Sequence, residues 1–177
     1  SRDLELVRER NRELGLISKY DELTGLLNLR GFTEQIKNFC SKSEHQRAYI
    51  ICADLDHLKE INDTWGHPAG NFALRSVANI FNGCLRSQDI VARTGGDEFL
   101  ILLNCQEKNF QDIFRKRVRD ACAAFNAESG KPFLVEVSLG ITEFKPSPET
   151  DIPAIIEHAD KDLYEAKKLR KNSVRRP

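Results

Sequence analysis

The sequence predicts an α+β domain, with a mostly antiparallel central sheet and flanking helices. Three observations carry this. An Ile-rich apolar run at Ala48–Leu55 reads as a buried strand. Two short apolar segments, Ile90–Arg93 and Glu98–Leu103, flank Gly95-Gly96 and read as a hairpin. Segments with helical periodicity separate these strands from a further alternating one, giving the order helix–strand–helix–hairpin–helix–strand–helix.

The bulk properties fit one domain with a short appendage. The 177 residues are 40% hydrophobic and 31% charged, as in a water-soluble globular chain. Lys plus Arg (27) balance Asp plus Glu (27), so no net field draws the chain to nucleic acid or an anionic membrane. No apolar run approaches the ~18 residues of a membrane span, and no signal-peptide pattern opens the chain. The expectation is no nucleic-acid partner and no membrane contact. Five scattered cysteines, Cys40, Cys52, Cys84, Cys105 and Cys122, lack metal-ligand spacing and read as reduced core thiols of a cytoplasmic protein. With no methionine at all, the sequence reads as a segment of a longer chain.

Taken in order, residues 1–19 are polar and helix-prone. Leu4, Val7, Asn11 and Leu14 recur at spacings of three and four, as in a heptad seam with one polar core position. A solvated helix lying on the domain explains the same pattern. Gly25 and Asn28 then break the chain, and Phe32–Cys40 resumes a helical pattern. The strand at Ala48–Leu55 ends at two carboxylates, Asp54 and Asp56, which alternation places on one face. From Pro68 to Leu85, apolar residues such as Phe72, Val77, Phe81 and Cys84 fall at helical spacing, with Pro68 near the start. Phe110, Phe114, Val118 and Cys122 mark another amphipathic helix. Phe133–Phe144 alternates as a strand, and a turn with Pro146 and Pro148 leads to a last helix from about Pro153 to Leu169.

Buried carboxylates at a strand end are costly without a compensating cation. If the sheet sets the hairpin beside the first strand, Asp54 converges with Asp97 and Glu98, a set of hard oxygen ligands suited to Mg²⁺. The two glycines before Asp97 permit positive φ and close approach of a bulky anion. Taken alone, each acidic point is equally an ordinary solvated turn.

The combination is more specific. Asp21-x-Leu23-Thr24-Gly25-Leu26-x-Asn28, Asp54-Leu55-Asp56-x-x-Lys59-x-Ile61-Asn62-Asp63, Gly66-His67-x-x-Gly70, Arg93-x-Gly95-Gly96-Asp97-Glu98-Phe99, Val137-Ser138-Leu139-Gly140-Ile141 and Ala159-Asp160-x-x-Leu163-Tyr164-x-Ala166-Lys167 occur in this order. The chain resembles the GGDEF-domain diguanylate cyclases from about Asp21 onward. That resemblance implies a palm-like fold, related to the nucleotidyl cyclase and ferredoxin-like sheets, over residues 20–177. Residues 1–19 would be the end of a helical stalk from a sensory or receiver domain that this segment lacks.

The implied activity is the condensation of two GTP into cyclic di-GMP and two pyrophosphates. It uses two Mg²⁺ (or Mn²⁺) ions per site and a homodimer of catalytic domains. Asp54, the Leu55 carbonyl, Asp97 and Glu98 would hold metal, and Asp97 would also accept the ribose 3′-hydroxyl proton. Lys59, Lys167 and Lys171 would face phosphates, with Gly95 and Gly96 lying against them. Lys171 stands where the family has an arginine, which keeps the charge but loses bidentate geometry. Asn62 matches a guanine contact, and His67 a position near the nucleotide or a turn-stabilising residue.

Asn71 departs from the family's aspartate. A carboxylate accepts from guanine N1–H and N2–H₂ together, whereas an amide presents an NH₂ to one of them. That mismatch costs roughly 1–3 kcal/mol, about ten- to a hundred-fold in affinity. Because an amide complements adenine, a mixed GMP–AMP cyclic dinucleotide is an alternative product. Neighbouring contacts that compensate for the amide are the other possibility. A third reading is a degenerate domain acting as a receptor for GTP or cyclic di-GMP. Arg86-x-x-Asp89, with Arg117 on the next helix, is similar to the family's inhibitory site for cyclic di-GMP.

Overall fold

In the computed structural model, residues 2–13, 18–42 and 46–174 are described. The elements are α1 (Arg2–Glu13), α2 (Leu29–Ser41), β1 (Ala48–Leu55), α3 (Leu58–Trp65), α4 (His67–Cys84), β2 (Ile90–Arg93), β3 (Glu98–Leu103), α5 (Gln111–Ser129), β4 (Val137–Phe144) and α6 (Ile152–Val174). The four strands form one antiparallel sheet in the order β2-β3-β1-β4. From β1 onward this is the split βαβ arrangement of ferredoxin-like folds, α+β as expected.

The central place of β1 explains its unbroken apolar sequence. Tyr49, Ile51, Ala53 and Leu55 face one core with α4 and α5; Ala48, Ile50 and Cys52 face a second core with α2 and α6. A strand covered on both faces has no polar side to display. Phe81 packs edge-on against Phe99 at 5.4 Å in the first core. Phe32 and Ile36 of α2 fill the second.

Helix α2 begins where expected for a capped helix, with Asn28 Oδ1 accepting from Gly31 N at 3.0 Å. Helix α6 packs against the sheet because position 140 has no side chain. A Cβ on Gly140 would stand 2.1 Å from the Ala159 carbonyl oxygen and 2.3 Å from Leu163 N.

Three expectations need correction. Helix α3 was not expected: it is short, only Ile61 is buried on it, and it starts from His57 in the left-handed region (φ 61°). Strand β4 starts at Val137 rather than Phe133, because the Asn126 side chain holds both Val135 N and Val135 O, at 2.8 and 2.9 Å. Among the described glycines, positive φ is found at Gly25, Gly66 and Gly130 and not at Gly95 or Gly96. In the proposed heptad, Leu4 and Val7 are exposed on α1, and Leu14 lies outside the described residues.

Candidate active site

The register of β1 and β3 places Asp54 directly opposite Glu98, and Leu55 N donates to the Asp97 carbonyl at 2.9 Å. Asp97 ends the hairpin connection and Glu98 opens β3, so both carboxylates arrive beside the last turn of β1. One ligand oxygen from each of Asp54, Asp97 and Glu98 lies within 4.8 Å of the other two. The convergence expected from the sequence is therefore present.

The carboxylates of this cluster repel one another, and burial weakens their hydration. Burial pushes the Asp54 carboxyl up, and the Asp97 and Asp56 charges add to it despite the opposing Lys167 ammonium. Glu98 is also raised, by burial and then by Asp54, Asp97 and Asp160. Hard carboxylate oxygens crowded at a strand end fit a divalent cation of the Mg²⁺ or Mn²⁺ kind. Cys52, one alternation back on the same face, is pushed to about 12 by burial, so its thiol stays neutral at physiological pH.

Helix α6 supplies positive charge from above. Lys167 Nζ hydrogen-bonds Asp54 Oδ2. One turn later Arg170 donates to Asp56 Oδ2 at 2.7 Å and reaches Ser138 Oγ at 3.1 Å, while Ser138 Oγ donates to Asp56 Oδ1 at 2.7 Å. Asp54 and Asp56 thus share a face, but Asp56 is held by Arg170 and Ser138 and stands outside the three-carboxylate group. Sequence reasoning missed Arg170. Arg170 stands three residues after Lys167 on the same helix face, but nothing in the sequence says that this face meets the end of β1. Lys171 lies on α6, outside the residues whose side chains are described.

The hairpin is anchored from behind. Arg93 Nη1 pairs with Asp21 Oδ1 at 2.9 Å, with both side chains less than one-fifth exposed. Arg93 Nη2 donates to the Gly96 carbonyl at 2.9 Å. Burial pushes Asp21 up, but hydrogen bonds from Thr24 and the Arg93 charge outweigh it and hold the carboxyl below its usual range. The turn at residues 21–28 therefore braces the acidic tip.

A second region lies where α3 meets α4. Asn62 is half-buried, and its Oδ1 would stand 1.8 Å from a Cβ at Gly70. The bare backbone of Gly70 is what gives the Asn62 amide its place. Lys59, His67 and Asn71 are exposed around this junction, as is Trp65 at 50%.

The Arg86–Asp89 segment is a turn in its own right. Asp89 Oδ2 accepts from Arg86 N at 2.8 Å, and Asp89 Oδ1 from Asn104 N at 3.0 Å. Arg117 donates to the Cys84 carbonyl at 3.3 Å and lies over Phe110 at 5.4 Å. All three residues thus border the end of α4, with the Arg86 side chain exposed.

The profile described as "Diguanylate cyclase, GGDEF domain" matches residues 18–173. Diguanylate cyclase A of Treponema denticola is 36% identical over 126 residues, covering 71% of this chain and 34% of that protein. Diguanylate cyclase DosC of Escherichia coli is 35% identical over 175 residues, covering 96% of this chain and 37% of that protein. Among solved structures, diguanylate cyclase SiaD of Pseudomonas aeruginosa, in complex with its activator SiaC, superposes with a TM-score of 0.75 at 32% identity, over 94% of this chain and 65% of that one. The GGDEF domain of DgcB from Caulobacter crescentus, in complex with c-di-GMP, gives 0.72 at 26% identity, over 86% and 91%. The chain spans about a third of the length of the two curated relatives. With its match over most of its length, and the acidic β-hairpin set against a strand-end aspartate, the chain belongs to the GGDEF family of diguanylate cyclase domains.

Proposed function

We propose that this domain is an active diguanylate cyclase, converting two GTP into cyclic di-GMP and two pyrophosphates as a face-to-face homodimer. The observation that carries the proposal is the convergence of Asp54, Asp97 and Glu98 under the Lys167 ammonium. Divalent cations held there would lower the pKa of an attacking hydroxyl and neutralise the pyrophosphate leaving group. Asp54, Asp97, Glu98 and the Leu55 carbonyl would hold them.

Asp97 accepts the 3′-hydroxyl proton as that oxygen bonds to the α-phosphorus of the partner-bound GTP and the bond to pyrophosphate breaks. Closing the ring repeats this with the roles exchanged. Gly95 and Gly96 lie along the phosphates, and Lys59 and Lys167 meet their charge. Asn62, His67 and Asn71 surround the base. One domain holds one nucleotide, so the in-line geometry needs two domains.

Residues 1–19 belong, on this reading, to a stalk that couples a sensory or receiver domain to residues 20–177. A cytoplasmic location follows from the proposed substrate, since GTP is an intracellular nucleotide; among the described residues no helix is long and apolar enough to cross a membrane. Arg86, Asp89 and Arg117 form the site for product inhibition by cyclic di-GMP.

Mass spectrometry of the products from GTP and Mg²⁺ tests the activity: cyclic di-GMP is expected, and its absence together with absence of pyrophosphate release would leave a nucleotide receptor. Asn71, exposed at the base site, favours a second reading in which selectivity for guanine is relaxed. GTP plus ATP would then yield the mixed dinucleotide.

A further inference from the structure

We propose that the open edge of β4 is a binding site for a small amphipathic anion. β4 is an edge strand, and the groove beside it, between α5 and α6, has a volume of about 650 Å³. That lies within the range of ligand pockets.

The edge is closed on either side and open between. Even-numbered residues of β4 bond towards β1, as Glu136 O does to Asp56 N, so alternation turns the N–H and C=O of odd-numbered residues outward. Arg115 donates to the outward Leu139 carbonyl at 2.6 Å, and Asp162 accepts from the outward Ile141 N at 2.8 Å. At the other end Asn126 occupies both groups of Val135. Between these two plugs lie the outward N–H and C=O of Val137 and the N–H of Leu139. Among the described residues they have no hydrogen-bond partner. A gap this short does not admit an added strand, but it suits a compact polar head.

The surroundings define the ligand. Val118, Cys122 and Leu139 make a buried apolar floor, with Ala123 on the rim. The Arg119 guanidinium borders the groove without an ion pair among the described residues, while Glu136 is matched by Arg170 at 3.4 Å. An apolar body with one carboxylate, sulfonate or phosphate would cover the floor and take hydrogen bonds from Arg119 and the free strand N–H groups. Ser138 and Arg170 also line this groove and together hold both oxygens of Asp56, two residues from Asp54. Occupancy is therefore transmitted to the edge of the acidic cluster.

The probe is 8-anilinonaphthalene-1-sulfonate, titrated into the metal-free protein with fluorescence and amide NMR detection. Binding is read without turnover, so the result is independent of whether the domain is a cyclase. Saturable 1:1 binding is expected, with amide shifts at Val137, Leu139 and Asp56. The rim substitutions Ala123→Phe and Arg119→Glu are each expected to weaken it at least tenfold, with unchanged circular dichroism. No saturable binding, equal affinity in both variants, or shifts confined to other surfaces would overturn the site. Shifts at Val137 without any at Asp56 would overturn the coupling. The NMR mapping uses the unaltered protein and so does not depend on either variant folding.

Discussion

Replacing Gly70 by alanine separates the packing at the α3–α4 junction from the chemistry proposed there. The new Cβ would fall 1.8 Å from Asn62 Oδ1, 2.8 Å from Asn62 Cγ and 3.2 Å from Leu58 Cδ1. Two of these contacts are shorter than any real Cβ contact, so the Asn62 amide must swing away. Alanine's helix propensity returns about 0.5–1 kcal/mol, against about 1–3 kcal/mol for a misfit of this kind. Stability should therefore fall by no more than about 2.5 kcal/mol, leaving the domain folded. Nucleotide binding should suffer more: losing the Asn62 hydrogen bonds removes roughly 1–3 kcal/mol, ten- to a hundred-fold in Kd. The sole tryptophan, Trp65, is half-exposed three residues beyond Asn62 and supplies the signal. GTP titration would compare Gly70→Ala, Asn62→Ala and the double variant. Because both single changes act through one side chain, the double should bind no more weakly than either single. An unchanged Kd in Gly70→Ala, or additive losses in the double, would refute the reasoning.

The bracing of the hairpin predicts that Asp21→Asn lowers Tm by about 4–12 °C, from a loss of roughly 2–3 kcal/mol on breaking a mostly buried pair; thermal denaturation checks this. Because the folded-state pKa of Asp21 is depressed, its contribution is present above the ordinary carboxylate range and lost as pH falls through the folded value. Asp54 and Glu98 act with the opposite sign: their folded pKa values are raised, so the metal-free domain loses stability as pH climbs from about 4 through those values. Mn²⁺ at a hundred times its Kd should return about 2.7 kcal/mol near neutral pH, and much less in Glu98→Gln; calorimetric Tm with and without the metal reads both. Cyclic di-GMP measured by isothermal titration should bind the unaltered protein and lose at least tenfold in affinity with Arg86→Ala, while unchanged affinity would remove the inhibitory site.

How much of this was legible follows from what each residue must satisfy. Ala48–Leu55 was readable to the residue, because a strand covered on both faces leaves an apolar run with charged ends. Asp54, Asp97 and Glu98 were readable because the expected pairing of hairpin and strand fixes their meeting. Helix α3 was not, since with one buried residue it has almost no apolar stripe and depends on an αL turn at His57. The start of β4 was misplaced for a tertiary reason, an Asn126 side chain substituting for a neighbouring strand. The grip of Arg170 on Asp56 was hidden too, because nothing local says which helical cation reaches across to a strand end.

The Lys167–Asp54 contact joins residues 113 positions apart, and this has a temporal side. At roughly 5–20 residues per second, a ribosome needs roughly 6–23 s to progress from the aspartate to the lysine. During that interval the nascent chain can already carry Asp54, Asp97 and Glu98 with no α6 to shield them. Until Lys167 arrives this cluster lacks its helical counter-charge, and free cellular Mg²⁺ is the nearest available counterweight during synthesis.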